Sequence, residues 1–160
     1  MATSTRKLYH EDFYAWTQQQ AKELRRFAST RPNLPLDLAL IAEEIEDLGR
    51  SEQSTVFSFV RLIMQHFLLA THSPAAEPRQ HWLDEVDEFR SQIEDKLTPT
   101  IRREVEAELD AIYGRARRNA ARKMRRHGEH EAVAALPETC PYTLDQILGD
   151  WEPGVNRESA

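Results

Sequence analysis

Five carboxylates crowd ten residues of one amphipathic stretch: Glu43, Glu44, Glu46, Asp47 and Glu52 in LALIAEEIEDLGRSE, residues 38–52. Carboxylates at this density bind a divalent cation or do acid–base work when they converge. On a helix, at about 100° per residue, most of these do not. Leu38, Ile41, Ile45 and Leu48 cluster in one direction, and Glu43, Glu46 and Asp47 point away from it. Glu46 and Asp47 both reach Arg50 at helical spacing, giving surface pairs worth about 0.2–0.5 kcal/mol each. Glu44 sits at the edge of the apolar stripe and Glu52 in its middle. A charged carboxylate in a dry core is costly; it finds partners or its pKa rises. A hairpin centred near Pro32 and Asn33 sets Glu52 opposite Phe13 to Trp16, where the Tyr14 hydroxyl or the Trp16 indole N–H can donate to it. The same hairpin sets Glu44 near Lys22 and Arg25. The expected buried polar network is therefore Glu44, Glu52, Tyr14 and Trp16, with His66 further along the same seam.

Two other arrangements compete with that network. Di-metal sites in helix bundles use carboxylates from several helices and an inward Glu-x-x-His, which this sequence lacks. His66 lies fourteen residues beyond Glu52, or about 21 Å along a straight helix, so the two cannot share an ion from one helix. No metal or cofactor is expected. A metal-dependent hydrolase built from Glu44, Glu52 and His66 with groups from other helices stands as the alternative. His127 and His130 form His-x-x-His, half a zinc site at best, with a helix-ending Gly128 between them. Cys140 is a nucleophile only beside a base and is otherwise a small buried hydrophobe. No phosphate loop, nucleophile elbow or Cys-x-x-Cys is present. Trp16, Trp82, Phe89 and Tyr142 read as core; if exposed, they would line a groove for a partner helix.

Charge is segregated. Residues 37–52 hold six acids against one Arg, residues 77–110 eleven acids against five bases, and residues 111–127 seven bases and no acid. Arg115, Arg118, Arg122, Arg125 and Arg126 fall within about 100° of helical arc, facing away from Ile101, Val105 and Leu109. A helix dipole accounts for bases in the last turn, not for Arg115. That face is solvated, docks on an acidic surface such as that of a second copy, or binds a polyanion. It lacks stacking aromatics, which counts against single-stranded nucleic acid.

The elements that must position these residues are helical. The chain has 160 residues, five glycines and no alternating β-branched runs, and its apolar residues recur at steps of three and four. One helix is expected from about Glu11 to Ala28, with Phe13, Trp16, Gln20, Leu24 and Phe27 inward. RPNLP interrupts it. A second runs from near Leu36 to about Ala70, with a possible bend or split at Gly49. A third covers about His81 to Leu97. A fourth runs from Pro99, capped by Thr98, to about Arg126. A short helix capped by Thr143 follows. The fold expected is all-α: a bundle of about four long helices plus a short C-terminal one, with mostly up-and-down connections. Length suggests one domain over 1–160, ordered from about 8 to 151. The lone cysteine, the net charge of −6 and the absence of an apolar run near the ~20 residues of a membrane span suggest a cytoplasmic protein away from membranes.

LYHEDFYAW, IAEEIEDLGRSE and PETCPYTLDQIL, in this order, make the chain resemble a bacterial family named only as domain of unknown function 29. SPAAEPRQHWLDEVDEF adds to the likeness, which spans about Leu8 to Trp151. The resemblance implies an all-helical fold and brings no catalytic residues, since the family has no established activity. With no assembled catalytic set and with opposite charge faces, the sequence favours a non-enzymatic protein that associates with a protein partner or with itself. Nucleic-acid binding through the arginine face is the further alternative.

Overall fold

The computed structural model describes residues 2–31 and 33–154. Every regular element among them is an α-helix: α1 (Ala2–Glu11), α2 (Phe13–Thr30), α3 (Leu38–His72), α4 (Glu77–Glu94), α5 (Pro99–Ala107), α6 (Leu109–Arg126), α7 (His130–Ala135) and α8 (Leu144–Leu148). The all-α expectation is met. Pro32, at the expected hairpin centre, lies outside the described residues.

Helix ends follow local chemistry. Asp12 separates α1 from α2 and caps the latter, its Oδ1 accepting from the Ala15 N–H at 2.9 Å. Its Oδ2 accepts from the Thr100 N–H at 2.8 Å, so one carboxylate completes the first turns of both α2 and α5. Thr98 Oγ1 accepts from Ile101 N at the start of α5, with Pro99 in the first helical position. Gly128 ends α6 in the left-handed region (φ 72°), where glycine carries no Cβ penalty. Thr143 and Gln146 close a reciprocal capping box on α8.

Three element boundaries differ from the sequence reading. The N-terminal segment forms α1 rather than a tail. The fourth long helix is interrupted at Glu108 (φ −98°, ψ 7°), which divides α5 from α6. The short α7 follows Gly128. Gly49 does not split α3, which is one helix of 35 residues.

The described residues fall into two compact units. One is drawn from Met1–Val56 and Lys96–Glu104, the other from Phe57–Asp95 and Val105–Ala160. In the first unit the buried line on α2 is Thr17 and Ala21, and on α3 it is Leu38, Ala42, Gly49 and Val56. A Cβ on Gly49 would overlap Thr17 Oγ1 and crowd the Tyr14 ring. The close approach therefore needs glycine. The seven-residue steps from Ala42 to Gly49 to Val56 turn the small side of α3 inward. Ile41 and Leu48, expected inward, are exposed as a result, as is Phe27 on α2.

The second unit has a conventional core. Val60, Ile63, Met64, Phe67, Leu68 and Leu69 of α3 are each at most 1% exposed. Trp82, Leu83, Val86 and Ile93 of α4 are buried, as are Ile112, Tyr113 and Met124 of α6 and Leu144 and Ile147 of α8. By length and composition alone α3 could cross a membrane. Half of that stretch is buried within the protein, as in a core helix.

Candidate functional site

The polar groups of the first unit do not assemble as the sequence suggested. Tyr14 hydrogen-bonds to Glu104 of α5, and burial followed by the Glu104 charge raises its phenol pKa above the ordinary value. Gln53 Nε2 donates to the same carboxylate. Glu52 is half-buried and meets Lys96 Nζ at 3.6 Å. Glu44 is exposed, with no hydrogen bond or ion pair to a described residue. Arg25 goes to Glu46 rather than Glu44. Arg25 and Arg50 each reach Glu46 Oε2 at 2.7 Å, and the Arg25 bond leads in lowering the pKa of that carboxyl. Trp16 belongs to an aromatic cluster, with its ring centroid 4.9 Å from Tyr9 and 5.8 Å from Phe13. The physical reason is the rotation of α3: with Gly49 against Thr17, Gln53 points to Glu104 and Glu52 moves aside to Lys96.

In the second unit His66 is buried at 7% exposure. Its Nδ1 lies 2.8 Å from Leu62 O and its Nε2 2.7 Å from Glu85 Oε2. Both ring nitrogens thus face oxygen atoms. His81 Nε2 approaches the other Glu85 oxygen at 3.6 Å, and Phe89 packs edge-on to the His66 ring at 5.2 Å. This is a satisfied core histidine. Glu44, Glu52 and His66 therefore each have their own neighbours. Among the described residues no three His, Cys, Asp or Glu side chains are grouped to hold a metal ion.

Cys140 is half-buried, its Sγ 3.4 Å from Tyr142 O and 3.9 Å from Met64 Sδ. Burial pushes its thiol pKa up, the opposite of an activated nucleophile. His127 caps the end of α6 and His130 begins α7, both exposed.

The arginine face is where the sequence placed it. Arg115, Arg118, Arg122, Arg125 and Arg126 are all exposed, and none pairs with a described residue. The neighbouring Arg117 behaves differently: its Nε donates to Pro137 O at 2.9 Å, beside the Tyr113 hydroxyl at 2.6 Å from the same oxygen. Lys123 sits over the Trp82 ring at 5.5 Å. A shallow depression of about 430 Å³ is lined by Arg117, Arg118, Ala121, Arg122, Arg125 and Arg126. A second, of about 500 Å³, adds Arg61, Lys123 and His127 beside Arg122 and Arg126. Both depressions are rich in cationic side chains.

The family model described as Domain of unknown function DUF29 matches residues 8–152. The chain belongs to that family. It is also similar to a solved alpha-helical protein of unknown function from Rhodospirillum rubrum, at 34% identity over 89% of each chain with a TM-score of 0.78. No curated protein matches. The family membership agrees with the all-α fold and assigns no chemistry to any residue above.

Tyr14, Glu104 and Gln53 form a polar cluster that sequence reasoning missed. Its signal was present: Glu104 lies between inward-facing Ile101 and Val105, at the edge of the α5 stripe. Glu85 was equally legible, one residue before the buried Val86.

Proposed function

We propose that this protein works by binding, through the α6 arginine face, to an acidic protein surface. The observation that carries the reading is the set of five exposed arginines that pair with no described residue, in a stretch with no acid over residues 111–127. Crowded like charges repel, so the face stabilises nothing by itself and gains when an anionic surface covers it. Arginine also suits this role, because its planar fork engages carboxylates through two hydrogen bonds. A protein partner is favoured over nucleic acid by the absence of stacking aromatics on the face and by the overall charge of −6.

The test is fluorescence anisotropy with a labelled glutamate-rich helical peptide, run beside a duplex oligonucleotide of similar charge. The expected result is salt-sensitive peptide binding that weakens at least tenfold in Arg118→Glu with Arg122→Glu. Equal binding by the parent and the variant overturns the reading. Tight duplex binding, with a log–log salt slope near −4 to −5 for about five phosphates, would reassign the face to nucleic acid.

A further inference from the structure

The first unit carries a surface of the opposite character. Glu43 and Glu44 on α3 are exposed and make no hydrogen bond or ion pair with a described residue; Asp47 beside them is exposed and holds only a 3.4 Å contact to Arg50. Leu40, Ile41 and Leu48 stand among these acids at 52%, 39% and 56% exposure. Leucine and isoleucine scattered singly on a surface need no explanation, but three within about two turns of one helix, interleaved with exposed carboxylates, form a patch. Leu36 at 59% and Phe27 at 46% are further large apolar side chains exposed in the same unit.

We propose that this acidic, apolar face of α3 is the partner of the α6 arginine face on a second copy of the chain. The proposal rests on the arginine-face reading and names its partner. Three observations support a second copy. Charge is complementary, with exposed carboxylates on one face and, on the other, five exposed guanidinium groups that pair with no described residue. The extents are compatible: Leu40 to Leu48 covers about 12 Å at helical rise, within the roughly 16 Å from Arg115 to Arg126. The chemistry of the α6 depression fits as well: Ala121 lies among arginine stems, which accept a leucine while the guanidinium groups reach carboxylates on either side of it.

The two faces are different surfaces, so the contact is heterologous and each copy retains one free face of each kind until a ring closes. This property gives a decisive test by sedimentation velocity on the full chain. One variant reverses the arginine face, Arg118→Glu with Arg122→Glu. The other reverses the acidic face, Glu43→Lys with Glu44→Lys, which keeps Glu46 and Asp47 as partners of Arg50 and removes the through-space attraction between Glu43 and Arg25. All four positions are exposed, and circular dichroism checks that both variants stay helical.

The parent chain should associate with rising concentration, and more weakly as salt rises. Each variant alone should lose at least tenfold in self-association. An equimolar mixture should recover association, since each variant keeps one competent face and the two reversed faces are themselves complementary. Leu48→Lys should weaken the parent association as well. A parent chain that stays monomeric throughout overturns the inference, as does a mixture that does not pair or a variant that still dimerises by itself. A monomeric parent that still binds the acidic peptide through Arg118 and Arg122 leaves the arginine-face reading standing and sends its partner elsewhere; loss of peptide binding by the parent removes both.

Discussion

The two halves of α3 solve different problems within one uninterrupted helix. From Phe57 onward, Val60, Ile63, Met64, Phe67, Leu68 and Leu69 are buried on nearly all sides. Before Val56 the buried positions are mostly small, Ala42 and Gly49, and large apolar side chains face outward. In the second half bulk drives burial, through the transfer of large side chains from water. In the first, small residues allow backbones to approach, and bulk is left for display. Hydrophobicity alone does not say which residues are core; the size of the residue at the contact decides the rotation of the helix.

The comparison breaks most readily at Phe67. Its ring packs at 5.3 Å from both Tyr142 and Trp151 and beneath the Arg90 guanidinium at 5.6 Å. Phe67→Ala should cost about 3–5 kcal/mol through lost transfer energy and a cavity, read by urea denaturation. A loss below about 1 kcal/mol would show that the second half is not the bulk-driven core described.

Gly49→Ala probes the first half, where adding a single methyl meets Thr17 Oγ1. Overpacking of this kind costs roughly 1–3 kcal/mol. Thr17→Ala in the same chain should recover part of that loss, a coupling that a double-mutant cycle measures directly. Full additivity of the two substitutions would argue against the close approach.

Asp12→Ala removes the acceptor shared by α2 and α5 and should cost about 1–2 kcal/mol, the range of a lost N-cap. Burial alone would raise this carboxyl, but the bonds from Ala15 and Thr100 outweigh it and hold its pKa below the ordinary value. The folded pKa being lower than the unfolded one, the contribution is complete above the unfolded value of about 4 and is lost as pH falls through the folded value. Stability measured against pH should therefore fall less steeply on the acid side in Asp12→Ala than in the parent chain.

The smallest effect on folding is expected at Leu48. Leu48→Lys should change stability by no more than about 0.5 kcal/mol, in contrast to Phe67→Ala on the same helix. A large loss of thermal stability would place Leu48 in a core after all.

Periodicity made the long helices legible, and composition made the class legible. Stop signals with one mechanism each were also readable: Thr98 with Pro99, Gly128, and Thr143. The rotation of α3 was not, because the large residues Ile41 and Leu48 mark one direction while Ala42 and Gly49 mark another. Only the contact with Thr17 decides between them. The same rotation explains why Glu52 was assigned to Tyr14, when Gln53 and Glu104 occupy that place and Lys96 takes Glu52. The helix α1 escaped notice because LYHEDF reads as the beginning of one helix, and the Asp12 cap that divides it draws its second donor from Thr100, 88 residues away. The arginine face was fully legible, since exposure follows from the apolar side of α6 and needs no tertiary partner.

The last turn of α8 and the stretch after it are gripped by their main chain. Arg90 of α4 donates to the carbonyls of Gln146, Ile147 and Trp151 at 3.1, 3.0 and 2.7 Å, and Arg79 joins Ala70 O to Pro153 O. A guanidinium that holds backbone oxygens fixes the path of the tail while leaving its outward side chains free to vary. A lysine at position 90 offers a point charge where a planar fork spans several carbonyls. Limited proteolysis of the tail is thus a reporter of α4: Arg90→Lys should expose cleavage sites past Gln146 while the helices before α4 remain protected.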